Sequence, residues 1–357
     1  MIGITGATGF VGMTHLAHCV RRGLGVRILV RPSHPYAEKP PKGVEVAVGD
    51  LGDLRALSVF ADGIDTCFHY AARASFKGSW SKFETTNIVG TENLVSACEQ
   101  VERLIYCSTQ AVVLEDRDIR EGDESLPYPT DFIDSYSKSK AMAEQVVLGH
   151  PGGAVVRPPW VWGAGDTNNL PTLIKPTLEG RMGYFDAGTN QLETVHVVNL
   201  VHALNVAAGD GTSRGKVYFA TDDEPVESKK FSNELLEACG LEPVHRKYPS
   251  AVVRAMLWAD GLLGGGRVGI NRSSFLYMTR EQTFSDAAIR SDVGYACPVE
   301  RADGLDEMTR WCKVIGGVEQ VCSGRRRGDA AQLIARTWEF LLEDGALVAK
   351  LPNAQAT

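Results

Sequence analysis

A glycine-rich segment near the start of the chain limits most strongly what this sequence can fold into. It reads Thr5-Gly-Ala-Thr-Gly-Phe-Val-Gly12, with the glycine spacing G-x-x-G-x-x-G. An apolar run that predicts a strand, Met1–Thr5, precedes it, and a helical pattern, Phe10–Arg22, begins within it. Such glycines allow a tight turn and a close approach of the backbone to a phosphate. The motif predicts a pyrophosphate site at a helix N-terminus, formed by Gly6, Thr8, Gly9, Phe10 and Val11.

The alternation of strands and helices continues over the first 220 residues. The predicted strands are Val26–Val30, Val44–Val48, Thr66–Tyr70, Leu104–Ser108, Ala154–Arg157 and Lys216–Ala220. The predicted helices between them are Asp53–Ala61, Glu84–Glu99 and Ser135–Leu148. Strands separated by helices imply right-handed crossovers, and the strands are continuous apolar runs, as in sheets buried on both faces. The fold class predicted is therefore α/β, a doubly wound parallel sheet.

Two stretches interrupt this pattern and predict a second, smaller lobe. We assign 1–157 and 195–220 to a dinucleotide-binding domain, and 158–194 and 221–315 to a substrate lobe. The lobe is expected over the carboxyl ends of the strands, where ligands bind in such sheets. A C-terminal extension, 316–357, is expected to contain a linker, Ser323–Gly328, and a terminal helix, Asp329–Leu347.

The segment Tyr136-Ser-Lys-Ser-Lys140 can perform acid–base chemistry on an alcohol. A tyrosine phenol has a pKa near 10 and is a poor base at neutral pH. Lys140 lies one helical turn further on, so its ammonium favours the phenolate, and it can also hold the ribose of a nicotinamide cofactor. Ser108 and Thr109 end a predicted strand and emerge at the same edge of the sheet. We expect Thr109, Tyr136 and Lys140 to be catalytic, with Ser108, Tyr136 and Lys140 also beside the cofactor.

The choice between NAD and NADP depends on the residue that ends the second strand. In a NAD-binding fold an acidic residue at that place binds the ribose 2′-hydroxyl. Arg31 stands there instead, and a guanidinium suits a 2′-phosphate, so we favour NADP over NAD. Asp50 and Leu51 follow the third strand, and the Asp50 carboxylate could accept a hydrogen bond from the adenine. Asp50 or Asp53 could equally cap the next helix.

Composition excludes some other classes of protein. The net charge of −7 over 357 residues disfavours nucleic acid as a partner. The eight cysteines form no C-x-x-C pair or Cys/His cluster, so we expect free thiols in a reducing compartment and no metal site. The glycine motif leaves no room for a signal peptide, and no apolar run is long enough to span a bilayer. We therefore expect a cytoplasmic protein.

These motifs together resemble the extended short-chain dehydrogenase/reductase superfamily. The resemblance covers about 1–315 and also rests on Phe68-His-Tyr-Ala-Ala72, Thr86-Asn-Ile-Val-Gly-Thr91 and Arg157-Pro-Pro-Trp-Val-Trp-Gly163. It implies a Rossmann-type fold, Thr109 positioning the reacting oxygen, Tyr136 as acid/base, and a cofactor lined by the backbone of Ala71, Ala72, Pro158 and Pro159.

Finer signs are similar to the 3β-hydroxysteroid dehydrogenase branch, with its sterol 4α-carboxylate decarboxylating enzymes and bacterial β-keto acid reductases. They are Thr194-Val-His-Val-Val-Asn-Leu-Val-His-Ala203 and Gly215-Lys-Val-Tyr-Phe-Ala-Thr-Asp222, with Phe284-Ser-Asp-Ala-Ala288 and Val293-Gly-Tyr295. One departure is Val113-Leu114, where the superfamily often has Tyr-Gly.

The function expected is interconversion of a secondary alcohol and a ketone on a bulky hydrophobic substrate, either steroid-like or a β-hydroxy/β-keto acid. One alternative is a nucleotide-sugar epimerase with tightly bound NAD, which Arg31 and Gln110-Ala111 disfavour. Another is a non-catalytic regulator that senses NADP. The resemblance implies a homodimer through Glu84–Glu99 and Ser135–Leu148. The apolar stretch Ala251–Leu263 is compatible with peripheral contact to a membrane, although it lacks the Lys/Arg-rich face of an interfacial helix.

Overall fold

The computed structural model describes residues 1–74, 78–209, 211–262, 270–323 and 327–351. The strands are β1 Ile2–Thr5, β2 Val26–Val30, β3 Val44–Val48, β4 Thr66–His69, β5 Arg103–Cys107, β6 Ile119–Gly122, β7 Gly153–Arg157, β8 Trp160–Trp162, β9 Tyr184–Phe185, β10 Gln191–Leu192, β11 Thr194–His196, β12 Val217–Phe219, β13 Val226–Glu227, β14 Lys247–Tyr248 and β15 Gln282–Phe284.

The α-helices are α1 Phe10–Arg21, α2 Leu54–Ala61, α3 Trp80–Phe83, α4 Gly90–Ala97, α5 Ser135–Leu148, α6 Leu170–Leu178, α7 Val197–Gly209, α8 Ser228–Ala238, α9 Ser250–Leu262, α10 Arg272–Thr279, α11 Ala287–Val293, α12 Arg301–Val314, α13 Glu319–Ser323, α14 Arg327–Glu343 and α15 Ala346–Ala349. Short 3₁₀ turns occur at Pro35–Ala37, Gln110–Val113 and Gly211–Ser213, and a π-helical segment at Glu84–Val89.

The main sheet has seven strands in the order β12-β7-β5-β4-β1-β2-β3. Each neighbouring pair is parallel. The chain runs outward from β1 to β3 and then returns to β4 on the other side of β1, which creates a switch point between β1 and β4. The predicted α/β fold is confirmed, and the carboxyl ends of all seven strands meet at one edge.

Helices cover both faces of this sheet. On one face α2, α4 and α5 bury Leu57, Leu94 and Val147 against β4 and β5. On the other face α1 and α7 bury Leu16 and Leu200 in two further clusters. The central strands β4, β5 and β7 are almost entirely buried because helices lie on both sides, which explains their continuous apolar runs.

The helix predicted at Glu84–Glu99 is wrong in its extent and in its regularity. Helical structure begins earlier, at Trp80, and includes the π-helical turn. Asn87 is buried within this turn, where its Oδ1 accepts from the Arg73 N–H at 2.7 Å and its Nδ2 donates to Ser139 Oγ at 2.8 Å. Polar contacts to α5 and to the loop after β4 are thus made inside the π turn, which periodicity does not reveal.

The smaller lobe contains a four-stranded sheet in the order β13-β10-β15-β6 and two two-stranded pairs, β11-β8 and β14-β9. Strand β6 comes from the loop before α5, so Ile119–Gly122 joins the lobe although it lies within the segment assigned to the dinucleotide-binding domain. The lobe core is continuous with α1 through Phe10 and Met13.

The C-terminal extension packs against both parts of the molecule. Trp311 Nε1 of α12 donates to Thr337 Oγ1 of α14 at 3.0 Å. Arg21 of α1 donates to the Leu341 carbonyl at 3.1 Å, and Trp338 lies 6.2 Å from Tyr36, centroid to centroid. The linker expected at 323–328 is partly wrong, because α13 ends at Ser323 and α14 begins at Arg327, while 324–326 lie outside the described residues. Within the described residues, no helix has the length and apolar character to cross a membrane.

Buried histidines between α1 and α7 make stability sensitive to acid. Burial lowers the pKa of His15 to about 3 and that of His18 to about 4. An unfolded chain protonates both below about pH 6.5, whereas the folded chain does not. The folded state therefore loses stability as pH falls through that value, by up to about 1.4 kcal/mol per pH unit for each histidine.

We expect the free energy of unfolding in urea to fall between pH 7.5 and pH 5.0, and His18→Gln to reduce that fall. His245 is exposed, so His245→Gln serves as the matched control and should behave as the wild type. An equal pH dependence in wild type and His18→Gln would contradict this account.

Candidate active site

The glycine motif forms the turn between β1 and α1 at the carboxyl edge of the sheet. Gly6 has φ +69°, and a Cβ on it would lie 2.6 Å from the Ala71 amide nitrogen. A Cβ on Gly12 would overlap the Gly6 carbonyl. A Cβ on Gly9 would instead meet protein only at the Gly6 carbonyl, at 3.4 Å. Gly6 and Gly12 are thus required by the fold, whereas Gly9 faces open space at the helix N-terminus.

The same turn presents backbone donors rather than side chains. Gly9 caps α1 without a side-chain hydrogen bond, and the first-turn N–H groups of a helix have no intrahelical acceptor. Phe10 is buried in the lobe core, so only its N–H is available to a ligand. Thr8 and Val11 are half-buried beside it. This geometry fits a pyrophosphate held at the positive end of the helix.

The far side of the same edge presents one cation and one carboxylate. Arg31 directly follows β2 and is exposed. The cap of α2 is Asp53, whose Oδ1 accepts from the Arg55 and Ala56 N–H groups at 3.1 Å. Asp50 is exposed and accepts only locally, from Gly52 N–H at 2.8 Å. The Leu51 side chain is buried in the core, so only its backbone can face a ligand.

A buried hydroxyl–imidazole chain supports the end of β4. Thr5 Oγ1 lies 2.7 Å from His69 Nδ1, and His69 Nε2 lies 3.0 Å from Thr91 Oγ1. Burial and the nearby Lys140 lower the pKa of His69 to about 3, so the ring is neutral. Thr5 Oγ1 also accepts from the Ala71 N–H at 3.3 Å. The chain holds Ala71, and Ala72 after it, beside the glycine turn.

Thr109 and Tyr136 lie together at the end of β5. Thr109 begins a 3₁₀ turn and accepts from the Ala111 N–H at 3.2 Å. Its side chain lies near enough to the Tyr136 phenol to lower the pKa of that group. Ser108 Oγ is buried without a hydrogen-bond partner among the described residues. Pro158 follows β7, and its carbonyl accepts from the Gln110 N–H at 2.9 Å, which places Pro158 and Pro159 at the same edge.

Lys140 is 2% exposed and donates from Nζ to the Cys107 carbonyl at 2.7 Å. Its ammonium lies 3.9 Å from the centre of the Tyr106 ring. Burial lowers the pKa of Lys140 to about 8. Burial also raises the pKa of Tyr136, more than the Thr109 hydrogen bond lowers it. Tyr136 is therefore protonated at neutral pH.

Sequence reasoning missed a buried ion pair between Glu144 of α5, the helix that carries Lys140, and Arg157 of β7. Glu144 lies one turn beyond Lys140, and its carboxylate accepts from Arg157 Nε at 3.0 Å and Nη2 at 2.7 Å. Tyr128 donates to the same carboxylate at 2.7 Å. Glu144 and Arg157 are 0% and 3% exposed. The helical spacing of Tyr136, Lys140 and Glu144 was the available signal, since the three share one face.

The lobe also contributes residues next to the site. Gln110 Nε2 donates to Gln282 Oε1 at 3.0 Å, so the position after Thr109 holds an anchored amide. Tyr277 on α10 packs beside Val113 and Ala141, and burial, followed by the nearby Asp134 and Tyr136, raises its pKa. Neither Tyr277 nor Gln282 lies in a motif, so no local pattern indicated them.

Comparison with known proteins agrees with this geometry. The model of the 3-beta hydroxysteroid dehydrogenase/isomerase family matches residues 3–250. A Stigmatella aurantiaca protein, 4-hydroxy-2-methyl-3-oxo-4-farnesyl-3,4-dihydroquinoline-1-oxide ketoreductase, is 34% identical over 85% of this chain and 94% of its own length. A 3-beta-hydroxysteroid dehydrogenase of Mycolicibacterium neoaurum is 32% identical over 82% and 86%. A 2-alkyl-3-oxoalkanoate reductase of Stenotrophomonas maltophilia is 31% identical over 85% and 96%.

The chain therefore belongs to the 3-beta hydroxysteroid dehydrogenase/isomerase family, within the extended short-chain dehydrogenase/reductases. Among solved structures, that of gox2253 has a TM-score of 0.74 and 26% identity, covering 88% of this chain and 98% of that one. A UDP-glucose 4-epimerase from Thermotoga maritima has a TM-score of 0.69 at 18% identity, covering 87% and 98%, and shares the fold.

The glycine geometry separates a binding role from a folding role. We expect Gly9→Val to fold normally but to lose dinucleotide binding, because the side chain fills the space in front of the helix N-terminus. Gly12→Val should instead lower the melting temperature, since its side chain collides with the Gly6 carbonyl. The measurements are isothermal titration with NADP and NAD, and thermal unfolding.

Gly25→Ala provides the control, because a Cβ there meets only Met1 Cγ at 4.0 Å, and it should change neither quantity. If Gly9→Val binds the cofactor as tightly as the wild type, the phosphate site lies elsewhere.

Proposed function

We propose that this protein is an NAD(P)-dependent oxidoreductase that interconverts a secondary alcohol and a ketone on a bulky hydrophobic substrate. The observation that carries the proposal is the bond from the buried Lys140 Nζ to the Cys107 carbonyl at the end of β5. It brings Tyr136, one helical turn before Lys140, to the edge of the sheet where Thr109 lies. The glycine turn lies at the same edge of the sheet, which supports a single site for both functions predicted from the sequence.

The chemistry assigned to the protein side chains is proton transfer and orientation. A bound nicotinamide would supply or accept the hydride. Thr109 donates to the substrate oxygen, and Tyr136 gives its proton to that oxygen in ketone reduction or removes it in alcohol oxidation. Lys140 would hold the cofactor ribose, and its positive charge would favour the phenolate form of Tyr136.

A hydrophobic substrate is supported by the relatives and by the lobe. The relatives are named for a farnesylated quinoline oxide, a hydroxysteroid and 2-alkyl-3-oxoalkanoates. Tyr277 of the lobe lies near Tyr136, and it packs against the same hydrophobic cluster as Phe132 and Ile133 from the loop before α5. The substrate class we propose is therefore a bulky apolar ketone or alcohol, of the steroid-like or β-keto acid type.

We propose NADP as the preferred cofactor. Arg31 is exposed at the end of β2, and among the described residues its guanidinium takes part in no ion pair. A free guanidinium at this place matches a 2′-phosphate and would gain little from a bare 2′-hydroxyl.

The epimerase alternative is less well supported. Structures of nucleotide-sugar enzymes share the fold at low identity. A fold shared at that level of identity does not imply a shared reaction. The anchored Gln110 amide also leaves no acid beside Thr109. The regulator alternative is disfavoured because Thr109, Tyr136 and Lys140 are all in place.

We also propose a homodimer and a reducing cytoplasmic compartment. The helices expected at the dimer seam carry exposed apolar side chains, Val89 and Met142. The eight cysteines all lie among the described residues, and none of them forms a disulfide bond.

We expect Tyr136→Phe to retain cofactor affinity and to lower kcat by about 10²–10⁴-fold, because the ring still packs but no proton can be transferred. Turnover on a panel of hydroxysteroids and β-keto acids gives kcat, and titration gives the affinity. Tyr218→Phe is the control, since its hydroxyl donates to Asp292 on α11 at 3.0 Å, and it should leave kcat unchanged. A Tyr136→Phe enzyme with near-normal kcat would remove this tyrosine from the mechanism.

Arg31→Asp should reverse a preference for NADP. A hydrogen bond to a charged group contributes about 1.5–3 kcal/mol, roughly ten- to a hundredfold in affinity. Aspartate removes this contact, repels the phosphate and offers an acceptor to a 2′-hydroxyl. The measurement is kcat/KM with NADP and NAD for both proteins, with Arg55→Asp, an exposed residue on α2, as control. A wild type that strongly prefers NAD would refute the assignment.

A further inference from the structure

Helix α9 exposes an apolar side to solvent. Its exposed large side chains are Val252 (54%), Met256 (50%), Trp258 (70%) and Leu262 (69%). At about 100° per residue, these positions share one side of the helix with the exposed alanines 251, 255 and 259. The two charged residues of α9 lie off this side, because Asp260 is buried and Arg254 stands at its edge. A continuous uncharged patch of this kind marks a contact surface.

The opposite side of α9 is already packed, so the exposed side is not an unfilled part of the core. Val253 and Leu257 contact the cluster of Phe185, Phe275 and Leu276. The Arg254 guanidinium lies 5.5 Å from the centre of the Phe275 ring. The helix is therefore held in place by the lobe with its apolar side directed outward.

Basic residues flank α9 in the chain, on the segments before and after it. Arg246 and Lys247 precede it and are exposed, and Arg272, also exposed, begins α10. Arg254 adds a fourth cation, at 3.8 Å from Asp116, whose carboxylate also faces Arg272. Asp186 accepts from the Ser250 N–H at the start of α9, so the four cations exceed the two acids by two. The chain as a whole carries a net charge of −7, so the basic residues here run against the general charge. An apolar surface with a basic rim is complementary to an anionic lipid surface.

We propose that α9 docks this protein on an anionic lipid surface, with Val252, Met256, Trp258 and Leu262 entering the boundary between headgroups and acyl chains. Helix α9 does not need a Lys/Arg-rich face of its own, because its other side packs on the lobe. The cations come instead from β14 and α10. A second copy is the less suitable occupant, since a two-fold contact would bring the same basic rim against itself.

Docking would place the lipid close to the proposed active site. Phe275 and Leu276, under α9, lie on the same helix as Tyr277, which packs beside the Tyr136 region. Ser273 of that helix donates to the Ile133 carbonyl at 3.1 Å, just before α5. Delivery of an apolar substrate along this route rests on the proposed function, whereas the docking itself does not.

The test is flotation of the full-length protein with vesicles of phosphatidylcholine alone or mixed with phosphatidylglycerol. We expect binding to the anionic vesicles that weakens with salt and shifts Trp258 fluorescence to the blue. The variant carrying Val252→Ser, Met256→Ser, Trp258→Ser and Leu262→Ser should lose binding, by roughly tenfold or more for each large side chain. Lys247→Glu with Arg272→Glu should weaken it by roughly fivefold or more for each charge.

The matched control is Leu54→Ser with Val59→Ser on α2, whose side chains are 62% and 59% exposed. It should bind vesicles as the wild type does. Absence of wild-type binding to anionic vesicles, or an equal loss in the control, would overturn the proposal. A change from dimer to monomer in the α9 variant, with vesicle binding unchanged, would overturn it in favour of an interface between copies. Neither vesicle binding nor fluorescence requires turnover. A failure of the docking proposal would therefore not bear on the proposed reaction, which is tested by the turnover of Tyr136→Phe.

Discussion

The ion pair between Glu144 of α5 and Arg157 of β7 holds α5, the helix of Tyr136 and Lys140, against the sheet. Both groups are buried, and removing either partner leaves an uncompensated charge in the interior, which typically costs about 3–5 kcal/mol. Arg157 ends β7, and Glu144 lies on the same face of α5 as Tyr136 and Lys140. The pair therefore sets the distance between that face and the carboxyl edge, and Tyr128 completes its hydrogen bonds.

The site depends equally on the parallel direction of the main sheet. The carboxyl ends of all its strands lie at one edge, so residues far apart in the chain meet there. They are the glycine turn after β1, Ala71 after β4, Thr109 after β5 and Pro158 after β7. The surroundings are dry enough to keep His69 neutral and Tyr136 protonated. A low-dielectric site of this kind strengthens the effect of each nearby charge, including Lys140.

The two lobes are joined by more than the crossover loops. One hydrophobic cluster contains Phe10 and Met13 of α1 together with Trp311, Leu333 and Phe340 from the C-terminal part. Any shift of α14 relative to α1 would disturb the packing next to the glycine turn. The extension thus links the position of the lobe to that of the proposed cofactor site, outside the region that the family model matches.

The sequence by itself determined the parallel sheet, the phosphate turn and the set Thr109, Tyr136 and Lys140 as candidates. These follow from local spacing: β2, β3 and α5 have the predicted bounds because apolar runs and helical periodicity act over a few residues. Only the tertiary structure decided the Glu144–Arg157 pair, the π turn around Asn87, the transfer of β6 to the lobe and the approach of Tyr277. It also decided that α9 turns its apolar side outward, because which side of a helix is buried depends on residues distant in the chain. Contacts of that kind leave no periodic pattern in a single sequence.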